Sequence, residues 1–385
     1  MKKFLKQLND LWIIAGITLL LLMIIEIVFS LYYNNRSSTD PRSQADCYPE
    51  EAWVKDLYDE FAASSLETWH SYVYWRRKPF SGRYIHIGDD GLRVSTFPVP
   101  DSISGTPAIR IFFMGGSTLW GTGVRDDHTI PSLTGKLLSQ QGIHAEAFNF
   151  GESGYVSTQG LIALMVELQK GNIPDLVVFY DGINDVFSAL QQKKAGIPQN
   201  EFNRQHEFNA FRGKKRVVRS ILHAVPTFST VRFLTEKMRD KKSFVSTLSE
   251  AESDTLSSAV ARHYRNNVRM IRSLGMEYGF KTHCYWQPAI FNKKHLTGYE
   301  MKQAAENSYL RDFFEQTYHK ATTFVTEPDG IDFKDISNIF LGLTEPVFID
   351  WCHVGESGNF IIAEKMAGDL IPACHQILKE KTRKD

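Results

Sequence analysis

The sequence has no charge bias: its 385 residues carry 44 Lys and Arg against 44 Asp and Glu. A formal net charge of zero supplies no bulk field for a polyanion, and no nucleic-acid partner is expected. Glycine (26) and proline (14) are too few for a low-complexity or collagen-like chain. No internal repeat is visible. Cysteine is scarce, and Cys47, Cys284, Cys352 and Cys374 show no Cys-x-x-Cys or comparable ligand spacing, which argues against a zinc site. No metal and no cofactor is expected, and the spacing assigns no disulfide. What remains is a folded chain, 43% hydrophobic and 12% aromatic, long enough for one large domain or two ordinary ones.

One long apolar run is present. Residues 11–33, LWIIAGITLLLLMIIEIVFSLYY, hold a single charge, Glu26. At ~1.5 Å per residue such a helix crosses a ~30 Å hydrocarbon layer. The rival reading, a cleaved signal peptide, calls for a shorter apolar stretch followed by small residues, whereas Tyr32, Tyr33, Asn34 and Asn35 follow here. A retained anchor is therefore expected over 1–33. Lys2, Lys3 and Lys6 precede the run and Arg36 and Arg42 follow it, a modest bias that favours an inside N-terminus and an extracytoplasmic body. Glu26, near the outer end, reads as a group that reaches the headgroups rather than as a functional intramembrane acid.

Between 34 and 107 the sequence reads as a preface: a polar linker from Asn34 to Asp46, a helix from about Glu50 to Leu66, and an aromatic-polar alternation around Asp89-Asp90-Gly91 that suggests a hairpin. Trp75, Arg76 and Arg77 lie there and either line a ligand groove or, as such strand pairs more often do, cap the core. From Ala108 onward, short apolar strands alternate with amphipathic helices. IRIFFMGG, AFNFG, DLVVFYDG, KTHCYWQP and TTFVTEPDG are separated by helices near 130–141, 158–169, 256–278 and 298–320, and a helix near 356–380 closes the chain. This pattern predicts an α/β fold, a parallel sheet with helices on both faces in three layers. The 108–385 domain is interrupted at 191–255. Within that break, residues 191–245 hold 13 Lys or Arg against 4 Asp or Glu, consistent with short helices that cover a site or meet an anionic surface, or with a solvated face.

Function in open parallel sheets collects at the carboxyl ends of strands, and four segments fall there. They are Gly115-Gly116-Ser117-Thr118, Gly151-Glu152-Ser153-Gly154, Asp181-Gly182-Ile183-Asn184-Asp185 and Asp350-Trp351-Cys352-His353. A serine hydroxyl needs a base, and an imidazole oriented by a carboxylate is suited to supply one. Asp350 and His353, three residues apart, fit those two roles toward Ser117. The oxyanion of a tetrahedral intermediate needs donors, which the backbone N–H groups of Ser117 and Gly154 and the side-chain amide of Asn184 would provide.

In this order the four segments resemble the blocks of the SGNH (GDSL-type) hydrolase superfamily, over about 108–374. The resemblance implies a flavodoxin-like three-layer sandwich without a metal, Ser117 as nucleophile, Gly154 and Asn184 as oxyanion donors, and Asp350 with His353 as the final pair. It also implies hydrolysis of esters or thioesters, or acyl transfer. The first block reads Gly-Gly-Ser where the family's familiar form is Gly-Asp-Ser, so substrate preferences of the Gly-Asp-Ser lipases do not transfer. The expected activity is a membrane-anchored serine esterase acting on an ester-bearing glycan, lipid or small molecule. An O-acyltransferase using the same acyl-enzyme and a non-catalytic envelope scaffold or glycan-binding module are the alternatives. Singly, Ser117 reads as a helix N-cap, Asn184 as a turn residue and Gly154 as a position needing an unusual backbone angle. Asp126-Asp127-His128 is a rival cluster that capping of the helix after Thr129 explains. His283 reads as a core or strand-end residue, Gln287 as a pocket border and Cys352 as a packed thiol.

Overall fold

The computed structural model describes residues 2–35, 40–48, 52–212, 248–325 and 333–383. These fall into two compact units, one holding 2–35 and 202–212, the other the remainder. In the first unit, α1 (Lys2–Asn35) is one unbroken helix. Its apolar stretch Asn9–Tyr32 has a mean hydropathy of 2.7, and none of its most apolar 18-residue window is buried. Twenty-four residues at ~1.5 Å each give a length of roughly 36 Å, enough for a bilayer core.

The second unit is built on five parallel strands: β5 (Ile109–Gly115), β6 (Ala145–Asn149), β7 (Leu176–Asp181), β8 (Lys281–Trp286) and β9 (Phe333–Asp335). Their order is β6-β5-β7-β8-β9, the 2-1-3-4-5 order of flavodoxin-like sheets. All six residues of β7 are buried, as expected of a strand covered on both faces. Ile109, Ile111, Phe113, Leu176 and Val178 point to a core shared with the last helix, through Ile362, Met366 and Leu370. Helix Ile130–Gln140 packs beside that last helix, Glu356–Thr382. Helices Ser157–Gln169, Ile183–Gln192, Glu250–Tyr278 and Ser308–Val325 cover the opposite face. The result is the three-layer α/β/α sandwich.

Helix ends follow their capping chemistry. The Thr129 hydroxyl accepts from the Ser132 N–H, and Ser249 with Glu252 and Thr297 with Glu300 form reciprocal capping boxes. The helix expected from 256 therefore starts at Glu250, so the end of the presumed 191–255 insertion belongs to it. Of that insertion the described part holds helix Glu201–Arg212, and 213–247 lie outside the described residues.

Other expectations are corrected. The 298–320 helix is two, Gly298–Glu306 and Ser308–Val325, broken at Asn307, whose side chain donates back to the Gln303 carbonyl. Of the strand expected at 322–330, the residues up to Val325 are helix and 326–330 lie outside the described residues; the fifth strand is Phe333–Asp335. In the preface, α2 is the shorter Trp53–Ala63, and the aromatic stretch forms two antiparallel pairs. These are β1 (Glu67–His70) with β2 (Tyr74–Arg77) and β3 (Phe80–Ser81) with β4 (His86–Ile87). Asp89-Asp90-Gly91 does make a turn, but a single Ile87–Arg93 bridge is all that it closes. The stretch expected to be a linker is ordered at 40–48, where Pro41–Gln44 forms a helical turn capped by Asp40.

Candidate active site

Strand β5 delivers its chain end at the point where the sheet order reverses, between β6 and β7. Gly115 and Gly116 lead into a single helical turn, Ser117–Trp120. Both glycines are required by close approach. A Cβ on Gly115 would sit 2.6 Å from the Tyr180 carbonyl, and one on Gly116 would sit 2.2 Å from Asn184 Nδ2. Ser117 is thus fixed against the neighbouring strand and the first turn of the next helix.

The closing loop brings the second and third groups. A Phe348–Val354 bridge and an Ile349 N–H bond to the His353 carbonyl (2.9 Å) fold it back on itself. Asp350 Oδ1 accepts from the N–H groups of Cys352 (2.9 Å) and His353 (2.7 Å), while Oδ2 lies 2.7 Å from His353 Nδ1. His353 Nε2 lies 2.7 Å from Ser117 Oγ. An ionised Asp350 can only accept, so Nδ1 carries the proton and Nε2 is left as acceptor for the serine hydroxyl. Burial alone would raise the Asp350 carboxyl. The charge and hydrogen bonds of His353, with Arg42 beyond, outweigh it and hold the group far below the usual carboxylate range. Side-chain exposure is 13% for His353 and 15% for Asp350, a sheltered but reachable pair.

Asn184 follows β7, and its Nδ2 donates to the Tyr155 carbonyl (2.9 Å) while its Oδ1 accepts from Gln199 Nε2 (3.1 Å). Gly154 holds φ +72° in the loop just before Tyr155, and the Glu152 N–H bonds the Gly115 carbonyl (3.1 Å), which ties that loop to the strand end preceding Ser117. Ser117, His353 and Asp350 are therefore in series, with Asn184 and the Gly154 loop alongside.

No family model matches the chain, and no curated protein does. Solved structures similar to it include an acetyl xylan esterase, 15% identical, covering 68% of this chain and 100% of its own, with a TM-score of 0.36. The lipase/acylhydrolase from Enterococcus faecalis is 12% identical and covers 68% of this chain and 95% of its own, with a TM-score of 0.36. An acetylxylan esterase from Geobacillus stearothermophilus is 13% identical, with 70% and 94% covered and a TM-score of 0.35. The fold assignment rests on this chain's own strand order.

The neighbouring residues sort out differently from expectation in places. Asp126 caps nothing: it is buried between Arg93 Nε and His86 Nδ1, both at 2.8 Å, and Thr129 is the cap. Asp127 pairs with His128 at 2.7 Å on the surface. Gln287 is buried and accepts from Thr118 Oγ1 (2.7 Å), next to Ser117. His283 is buried on β8 and stacks on Tyr285. Cys352 is buried, and that burial pushes its thiol well up, as befits a packed thiol. Its Sγ, Asp350 and His353 offer ligand atoms within 4.8 Å of one another. Both imidazole nitrogens are already engaged, by Asp350 and by Ser117, so an ion there would have to break the series.

Trp75, Arg76 and Arg77 grip the Gly154 loop. Arg77 Nε and N–H reach Glu152 at 3.3 and 3.2 Å, and its Nη2 donates to Ser153 Oγ (2.7 Å). Arg76 Nη1 donates to the Phe150 carbonyl (3.1 Å), Trp75 Nε1 to the Ser153 carbonyl (3.0 Å), and the Tyr155 hydroxyl to the Trp75 carbonyl. The sequence signal was Glu152, an acid inside a glycine loop that needs a cation once buried. A second group missed in the sequence is Arg42, whose Nη1 lies 3.7 Å from Asp350 Oδ2.

Proposed function

We propose that this protein is a serine ester hydrolase, tethered to a membrane through residues 11–33 with its catalytic unit outside the cytoplasm. The observation that carries the reading is the series Ser117 Oγ, His353 Nε2, His353 Nδ1, Asp350 Oδ2, with 2.7 Å at each contact between residues. His353 takes the Ser117 proton as Oγ bonds to the acyl carbon, and the same proton goes to the alcohol oxygen as the ester C–O bond breaks. A water then attacks the acyl-serine, His353 takes its proton and returns it to Ser117 Oγ, and the carboxylic acid leaves. Asp350 stays ionised and stabilises the imidazolium at each transfer. The N–H groups of Ser117 and Gly154 and the amide of Asn184 receive the oxyanion, each such donor lowering the barrier by ~2.7–4 kcal/mol.

The substrate is an ester-bearing glycan, lipid or small molecule. The Ser117→Ala variant should retain its thermal midpoint and lose turnover of an activated acetyl ester, and a fluorophosphonate should label native protein only at Ser117. Near-native turnover by that variant, or native protein that resists the label, refutes the assignment.

A further inference from the structure

We propose that Arg42 is a positioning residue for the reaction assigned above: it draws on the same Asp350 charge that stabilises a protonated His353, and Asp40 sets how strongly it does so. This rests on that assignment. Arg42 follows the end of α1 at Asn35 by seven residues, on the turn Pro41–Gln44. Its guanidinium is fixed from three sides. Nε and Nη2 donate to the two oxygens of Asp40 at 3.0 and 2.7 Å, and the plane lies 5.6 Å from the Tyr58 ring and 5.3 Å from the Phe61 ring. The remaining nitrogen, Nη1, faces Asp350 Oδ2 at 3.7 Å. That is the same oxygen that meets His353 Nδ1.

The geometry makes Arg42 a competitor rather than an anchor. At 3.7 Å it is too far for a hydrogen bond, so it does not hold the carboxylate in place. The carboxylate is already held by two N–H groups of its own loop. What Arg42 adds is a fixed positive charge beside the same carboxylate oxygen that meets the imidazole. The other groups facing this cluster are Asp40, the Tyr48, Tyr58 and Tyr299 hydroxyls and the Cys352 thiol, with Asp46 beyond Tyr299. Burial pushes the Tyr48, Tyr58 and Tyr299 hydroxyls upward, and the Cys352 thiol rises as well, so these groups stay neutral across the working range. Asp40 is held low by Arg42 despite burial. The balance on Asp350 is therefore set by one cation and one anion, Arg42 and Asp40.

Opposite signs follow for the two partners. Removing Arg42 leaves the whole Asp350 charge to a protonated imidazole and moves the acid-side fall in Ser117 reactivity to higher pH. Removing Asp40 releases the Arg42 charge toward Asp350 and moves the fall to lower pH. The measurement is the pH dependence of the fluorophosphonate labelling rate in full-length, detergent-solubilised protein, which needs no knowledge of the substrate. Arg42→Gln should raise the midpoint by about half a pH unit, Asp40→Asn should lower it by a similar amount, and Arg42→Lys should stay near native. Thermal midpoints run in parallel show whether each variant is folded. Coincident midpoints in folded Arg42→Gln, Asp40→Asn and native protein overturn the proposal, as does a shift of the same sign in both. Native protein that fails to label at any pH overturns instead the assignment of Ser117.

Discussion

Two carboxylates border the site, Asp350 half-buried and Glu152 fully buried, and they are satisfied in opposite ways. Asp350 takes three hydrogen bonds from within three residues of itself, two from N–H groups and one from the His353 ring. Glu152 takes one from the adjacent Ser153 N–H, but its counter-charge is Arg77, 75 residues away on the preface. Arg77 and Glu152 side chains are 3% and 0% exposed. Arg77 also reaches the Ser64 carbonyl (3.2 Å), and its guanidinium lies 4.0 Å from the Trp120 ring, so one side chain joins the end of α2, the Gly154 loop and the turn that carries Ser117. The closing loop organises its own acid locally. The Gly154 loop depends on a separate stretch of chain.

The largest effect that tests this contrast is on chemistry. In Asp350→Asn the carbonyl oxygen can still accept from the Cys352 and Cys352-adjacent His353 N–H groups, but the new NH₂ faces His353 Nδ1 and forces the proton to the other ring nitrogen. Ester turnover should fall about 10⁴-fold, the size of the corresponding loss in the serine-protease triad, while the thermal midpoint falls only by what the lost Asp350 charge contributed and the protein stays folded. Turnover within tenfold of native would mean that Asp350 does not orient the imidazole. A large loss of stability would mean that the loop is less self-sufficient than its hydrogen bonds imply.

Next in size is stability. Glu152→Ala leaves the Arg77 guanidinium buried without its counter-charge and should cost about 3–5 kcal/mol of unfolding free energy, read from urea transitions. Adding Arg77→Met should recover much of that, since the stranded charge is gone. If Glu152→Ala costs less than about 1 kcal/mol, the preface does not hold the loop, and the contrast between the two carboxylates fails.

The same contrast governs what could be read from the sequence. Strand-end segments and the Asp350–His353 spacing were legible because each is local: a buried apolar strand, a glycine turn, a carboxylate three residues from its histidine. The grip of Trp75, Arg76 and Arg77 on the loop at 150–155 was not, because nothing near those residues names the distant partner. Arg93 is similar. It follows the Asp89-Asp90-Gly91 turn by two residues, and its side chain runs inward to Asp126 and to the carbonyls of Gly121 (2.6 Å) and Val124 (2.7 Å). The fifth strand was misplaced for a local reason that misleads. Thr322-Thr323-Phe324-Val325 is β-prone, but the hydroxyls of Thr322 and Thr323 bond the Tyr318 (3.1 Å) and His319 (2.8 Å) carbonyls one turn back, which accommodates them in the helix.

A third carboxylate extends the comparison to a smaller effect. Asp181, at the end of β7, is buried, and no cation is among the groups that set its titration. Burial raises its carboxyl well above the ordinary value, and the neighbouring Asp185 raises it further. Asp185 is raised too, by burial, although the Ser157 N–H and hydroxyl pull it back, so Asp185 is the better placed of the two to carry the charge. A raised acid favours the folded state below the unfolded value of ~3.9 and loses that contribution as pH climbs toward its folded value. Asp350 has the reverse sign, contributing above ~4 and losing its contribution as pH falls. Native protein should accordingly lose unfolding free energy as pH rises above ~4, and Asp181→Asn should flatten that slope while leaving the acid-side loss due to Asp350 in place, both read from urea transitions at about four pH values. An unchanged slope in the variant would show that Asp181 is ionised in the folded protein, and that burial without a counter-charge does not by itself decide how a carboxylate at this sheet edge titrates.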